Sequence, residues 1–254
     1  MMVKRQEICD FLDDVFSWLA PRDVSNNGMQ VQGNEDVGKI AFAVDACQRV
    51  FELAAKRGAD MLIVHHGISW GGGLKRITDY HQRRLKTLLD ANISLLAYHL
   101  PLDAHEEIGN NAVLADMLAL SKRKRFFVYD DTQIGYYGEL PAPASMAELA
   151  QTLQQQLKCE CKLLPGKNGD MVKTLGIVSG AGPDALEECA QLGLDALLTG
   201  EIGHQHLHPA WEMGVSIIAA GHYATETTGI KALQKKLRKQ FKVKCEFIDW
   251  PTGF

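Results

Sequence analysis

The chain has 254 residues, 46% hydrophobic and 23% charged, which at roughly 150 residues per domain predicts one large core or a core with a smaller insert and excludes a disordered or disulfide-stapled miniature protein. Its longest uninterrupted apolar run, 40–44, is far short of the ~20 residues of a membrane-spanning helix. Acidic residues follow the first basic ones where a signal peptide would carry its apolar stretch, so a cytoplasmic protein is expected. The net charge of −4 argues against nucleic acid as the main partner.

In chain order, short apolar, β-branched runs alternate with amphipathic stretches, the signature of strand and helix units around a largely parallel sheet. Strands are expected at 40–45, 61–64, 93–98, 175–179, 196–199, 215–220 and 243–248, with helices between them. The helix at 47–57 stops at Gly58 and the one at 184–192 stops at Gly193, each where a left-handed cap is wanted. Pro183 suits the first turn of the second. From 121 to 173 the pattern changes to strand-like pieces (FFVYDD, QIGYYGEL), a helix after Ser145 and a glycine-bearing turn, PGKNGD. The expected organisation is a first α/β half at 1–120, an inserted α+β subdomain at 121–173 and a second α/β half at 174–254, packed with the first as one core.

The two halves read as copies. IAFAVDACQRVFELAAKRGADMLIVHHG parallels LGIVSGAGPDALEECAQLGLDALLTGE at a constant offset of 135, with Gly58 and Asp60 matching Gly193 and Asp195. SLLAYHLPLD parallels SIIAAGHYATE, aligning His99 with His222 and Asp103 with Glu226 at an offset of 123.

Open α/β sheets gather ligands at the carboxyl ends of their strands, and the unusual polar residues fall there. MLIV opens into His65 and His66, SLLAY into His99 and Asp103, ALLT into Glu201, and SIIAA into His222 and Glu226. Imidazole and carboxylate donors together suit Zn, Fe, Mn, Co or Ni better than Ca or Mg, and no cysteine lies in these loops to suggest a closed structural zinc site. The five that stand out as ligands, His65, His66, Asp103, His222 and Glu226, exceed one tetrahedral ion, whereas two ions bridged by a carboxylate use all of them. The six cysteines form no CxxC pair and read as small core hydrophobes, with Cys159 and Cys161 as alternate residues of a strand.

The motifs VHHG (64–67), YHLPLDAH (98–105), GNN (109–111), TGE (199–201) and GHYATE (221–226), with NNGMQVQG (26–33), closely resemble those of the type-two GTP cyclohydrolase I homologues, the Nif-three-like family, over residues 15 to 251. The resemblance implies two similar α/β halves with an insert, a toroidal homohexamer of three dimers, and a dinuclear metal centre. Carried over motif by motif, it puts one ion on His66 and Asp103, the other on His65 and His222, and Glu226 between them. The repeat adds two residues. His99, which matches His222, is expected to orient Asp103 or contact substrate, and Glu201, which matches His66, is a candidate general acid or base.

Two Lewis-acidic ions acidify water near neutral pH, so the first expectation is a metal-dependent hydrolase of a nucleotide or related heterocycle. Asn26, Asn27, Gln30 and the basic run 122–125 are candidate contacts for base and phosphates. The alternative is a non-enzymatic metal-handling or protein-interaction ring. Cleavage of nucleic acid is disfavoured by the net charge; it would draw on the basic segment 231–244, which otherwise reads as a solvated helix face.

Overall fold

The computed structural model describes residues 2–16 and 22–254. By its internal contacts the chain divides into two units, Met1–Leu102 with Ile230–Trp250, and Asp103–Gly229 with Pro251–Phe254.

In the first unit the elements run β1 (Val3–Lys4), α1 (Arg5–Phe16), β2 (Gly28–Val31), β3 (Asp36–Val37), β4 (Lys39–Asp45), α2 (Gln48–Lys56), β5 (Met61–His66), α3 (Asp79–Asp90) and β6 (Ser94–Ala97). The chain then enters the second unit within α4 (Leu100–Ala104). There follow α5 (Asn110–Met117), β7 (Ser121–Tyr129), β8 (Thr132–Ser145), α6 (Met146–Leu157), β9 (Lys162–Leu164), β10 (Met171–Val178), α7 (Leu186–Gln191), β11 (Ala196–Thr199), α8 (Leu207–Met213) and β12 (Ser216–Ala219). The last helix, α9 (His222–Phe241), starts in the second unit and leads back to β13 (Lys244–Phe247) in the first.

Each unit has its own sheet, in the order β13-β4-β5-β6-β2 for the first and β7-β8-β10-β11-β12-β9 for the second. The central strands β4, β5 and β6 are parallel, as are β10, β11 and β12. Their residues are nearly all buried, apart from the first half of β10, which is why these segments read as unbroken apolar runs rather than alternating ones. Helix α2 lays Val50, Phe51 and Ala54 on the first sheet, in one core with Leu62, Val64, Leu88 and Leu95. A second core gathers Leu149 and Leu153 of α6 with Leu175, Ile177, Leu198 and Ile218. Among the described residues no helix is long and apolar enough to cross a membrane.

The predicted duplication is present in the hydrogen bonding as well as in strand order. Ile40 pairs with Met61 and Leu175 with Ala196, each residue of the second pair lying 135 positions after its counterpart. Asp60 Oδ2 accepts from the backbone N–H groups of Gly38 and Lys39 at 2.8 and 3.0 Å; Asp195 Oδ2 accepts from those of Lys173 and Thr174 at 2.8 and 2.7 Å. Ser94 Oγ accepts from Gly33 N, and Ser216 Oγ from Gly166 N, both at 3.0 Å. Gly58 and Gly193 take φ of 66° and 67° after their helices, the left-handed caps expected of them.

The same repeat reaches further than the sequence pattern showed. Strand β9 runs antiparallel to β12 as β2 runs antiparallel to β6. Likewise Ala144 and Ser145 pair with Val172 and Met171 as Val3 and Lys4 pair with Val37 and Asp36. The stretch 121–173 therefore contributes β7, β8 and β9 to the second sheet, and 244–247 joins the first sheet beside β4. An edge strand's sequence does not say which sheet it joins; the connection that delivers it decides. Cys161 lies just before β9 rather than within it, its Sγ donating to Ala150 O at 3.8 Å.

Candidate metal centre

In the first unit, β5 ends in His65 and His66, and His99 follows β6. One donor nitrogen from each of the three rings lies within 4.8 Å of the others, and the His65 ring centroid is 4.6 Å from that of His66 and 5.1 Å from that of His99. The second ring nitrogen, Nδ1, is held in every case. That of His65 sits 3.0 Å from Tyr98 O; a carbonyl only accepts, so Nδ1 carries the proton and Nε2 keeps the lone pair. His66 Nδ1 lies 2.8 Å from Asp45 Oδ1, and His99 Nδ1 lies 2.9 Å from Asp23 Oδ1. Metal-binding histidines characteristically donate their outer N–H to a carbonyl or carboxylate in this way.

Asp45 stands opposite His66 in the β4–β5 register, so parallel pairing itself delivers the carboxylate to the imidazole. Asp23 comes from a loop and is built in more deeply. Besides His99 it accepts from Ser25 N, Asn27 Nδ2 and Leu100 N, all at 2.8–2.9 Å. Burial pushes its carboxyl up, but the bonds from His99, Asn27 and Ser25 outweigh it and hold the group below the usual carboxylate value. Neither aspartate stood out in the sequence, although Asp45 closes the first apolar strand of the pattern and was visible there.

The amides expected to meet a base are instead used in the loop that frames the histidines. Asn27 Oδ1 accepts from His99 N at 2.8 Å, Asn26 Nδ2 donates to Ser69 Oγ and Gly71 O, and Gln30 Oε1 accepts from Ile68 N and Ser69 N. A loop that turns back on itself leaves its backbone groups without ladder partners, and these amides supply them. In the basic run 122–125, Lys122 pairs with Glu139, Arg123 with Asp116, and Arg125 lies over the Tyr136 ring.

In the second unit, His222 opens α9 with Glu226 one turn later. Glu226 Oε1 is 3.1 Å from His222 Nε2, and Glu201 Oε2, from the TGE loop, is 3.4 Å from His222 Nδ1. Burial pulls the His222 pKa down, but Glu226 and Glu201 overcome it and the imidazole is pushed up to about 9. Glu201 thus stands to His222 as Asp45 stands to His66. Gly180, at φ 63°, is the 135-offset counterpart of Asp45. A Cβ there would run into Glu226 Oε1, so the position needs glycine for space as well as for backbone angle.

Asp103 is buried, and its Oδ1 accepts from Asn110 Nδ2 at 2.8 Å and Ser179 Oγ at 3.2 Å. Asn110 in turn accepts from Gly229 N at 2.7 Å, which gives the GNN motif a positioning task. In the HQHLH segment, His206 Nδ1 accepts from Gly203 N at 2.9 Å and closes a short turn. The structure thus brings His65, His66 and His99 together in one unit, and His222, Glu226 and Glu201 together in the other.

A family model described as Duf34/NIF3 (NGG1p interacting factor 3) matches residues 3–252. The chain is similar to a protein of Pyrococcus abyssi named GTP cyclohydrolase 1 type 2 homolog, with 45% identity over 99% of this chain and 100% of that one. A protein of the same name from Escherichia coli is 36% identical over 98% and 99% of the two chains. Among solved structures, TTHA1606 from Thermus thermophilus is similar at TM-score 0.91 and 38% identity, covering 99% and 100%. Reduced HcgD from Methanocaldococcus jannaschii is similar at TM-score 0.84 and 26% identity, covering 98% and 99%.

Proposed function

Because the chain belongs to the Duf34/NIF3 family, we propose that it binds two divalent transition-metal ions, of the Zn, Fe, Mn, Co or Ni class, and uses them to hydrolyse a nucleotide or related heterocycle. In this reading His65, His66, Asp103, His222 and Glu226 would hold the ions. The observation that carries it is the set of orienting acceptors: Tyr98 O, Asp45 and Glu201 each face Nδ1 of a ligand histidine, and Asn110 and Ser179 hold one oxygen of Asp103.

Bound ions would supply Lewis acidity to the substrate and lower the pKa of water toward neutrality. The remaining steps belong to the chain. Glu201, with its side chain 37% exposed, accepts a proton from the attacking water, and His99, its Nδ1 fixed by Asp23, contacts substrate through Nε2. The relatives' name points to a guanine nucleotide as the first substrate to try. The accompanying assembly in this reading is a homohexamer of three dimers, for which light scattering is expected to give six times the 28.1 kDa chain mass.

The test is metal content per chain, with turnover of a nucleotide panel that includes GTP. Two ions in the wild type, their loss in Glu226→Ala, and metal-dependent turnover that falls in Glu201→Gln are expected. Full metal in Glu226→Ala overturns the ligand set; tight metal binding with no turnover across the panel leaves the metal-handling ring.

A further inference from the structure

Trp70 has no part in the ligand set, and its surroundings are unusual for a tryptophan. It is 37% exposed, yet the loop that carries it is tied at every turn. Its Nε1 donates to Gly67 O at 3.0 Å, its backbone forms an antiparallel bridge with Ser25, and Gly71 N donates to Val24 O at 2.6 Å. Gln30 and Asn26 fasten the residues on either side of it. The ring stands edge-on to His99, with centroids 5.1 Å apart and planes at 74°, and its centroid is 6.2 Å from that of His66. An indole with more than a third of its surface open, in a loop tied by so many hydrogen bonds beside two imidazoles, fits a surface kept ready for a ligand.

We propose that Trp70 is a stacking platform for the planar ring of the substrate, and so a specificity-determining residue; this rests on the hydrolase reading above. An aromatic face receives either a cation or another planar ring. Two divalent ions near the same imidazoles disfavour a cationic ligand by like-charge repulsion, which leaves a planar, neutral or anionic heterocycle. The loop's charge agrees with that choice. The loop carries Lys75 and Arg76, both exposed, with Asp79 as the next charge, so its net positive charge favours a heterocycle that carries phosphate.

The test measures equilibrium binding of GTP, guanosine and tripolyphosphate to the metal-loaded full chain, with metal content determined in each variant. A base stack is worth about 1–3 kcal/mol, which at 1.4 kcal/mol per decade makes Trp70→Leu weaken GTP and guanosine binding about 5- to 140-fold. Trp70→Phe, which keeps a ring but loses the anchor to Gly67, recovers most of that loss, and tripolyphosphate binds all three proteins alike. Unchanged GTP affinity in Trp70→Leu, or an equal loss for tripolyphosphate, overturns the platform. So does wild-type protein that holds its metal but binds neither GTP nor guanosine. Wild-type protein that holds no metal overturns the metal reading instead, and the two failures are told apart by the metal measurement.

Discussion

Asp45→Asn is the cleanest perturbation of the metal reading, because it keeps the shape of the side chain and changes only what it offers to His66. The carboxylate accepts from Nδ1 at 2.8 Å, with side chains 21% and 31% exposed. A hydrogen bond to a charged group contributes about 1.5–3 kcal/mol. The partial exposure puts this one toward the lower end, and at 1.4 kcal/mol per decade the expected loss is about ten- to thirtyfold in metal affinity. That lies within the roughly 10–100-fold cost of removing an outer partner from a metal-binding histidine. The assay is competition with a chromophoric chelator for Zn, run beside thermal unfolding of the metal-free protein. Asp45 makes one contact at a strand end and Asp23 makes four, so Asp45→Asn leaves Tm within the 2–4 °C that 1 kcal/mol moves a chain of about this size, whereas Asp23→Asn lowers both affinity and Tm. Wild-type affinity in Asp45→Asn refutes the idea that Nδ1 support matters, and a fall in affinity that only tracks a fall in Tm reduces the residue to a structural one.

Three further outcomes follow from the same geometry. Gly180→Ala should depress metal loading and stability, because its Cβ meets Glu226 Oε1, while Gly193→Ala at the same φ but with open space around it costs only about the 1–2 kcal/mol of a left-handed residue and leaves metal loading intact. In the metal-free protein the His222 pKa is raised from 6.5 to about 9, so its contribution to stability is fully present below 6.5 and is lost as the pH rises through 9. Urea midpoints should fall across that window and the fall should disappear in His222→Gln; a pH-independent midpoint contradicts the pairing with Glu226 and Glu201. Ser94→Ala and Ser216→Ala remove the same bond in the two copies, to Gly33 N and Gly166 N, and should each cost about 1–3 kcal/mol, Ser216→Ala the more because its Oγ also donates to Gly169 O at 3.2 Å; no measurable cost in either one speaks against equivalent roles.

What could be read in the sequence was whatever repeats with a period or punctuates it. The runs at 40–44, 61–64 and 196–198 are apolar on every residue, and that marks a strand covered on both faces. Gly58 and Gly193 mark helix ends, and histidines directly after such strands stand out. Strands β2 and β9 did not, because four and three residues of mixed polarity, partly exposed, carry no period to detect. Without β9 the stretch around PGKNGD looked like inserted material, although Gly166 N bonds Ser216 Oγ as Gly33 N bonds Ser94 Oγ. The supporting carboxylates were hidden for a different reason. Asp23 is held by four donors drawn from two stretches of chain far apart in sequence, 25–27 and 99–100, and no local pattern announces such a convergence.

The position of Gly180 shows how one duplicated frame came to present two different chemistries. At the end of its first strand, the earlier copy places Asp45, whose carboxylate reaches His66. The later copy has no side chain there, and the place a Cβ would take is filled by a carboxylate oxygen of Glu226, arriving from α9. The carboxylate beside the imidazole thus comes from a strand end in one copy and from a helix in the other, while the frame of Asp60 and Asp195, Ser94 and Ser216 is common to both. A donor carried on a helix leaves the sheet register untouched, so one frame of strands serves both copies although the carboxylate reaches its imidazole from different elements.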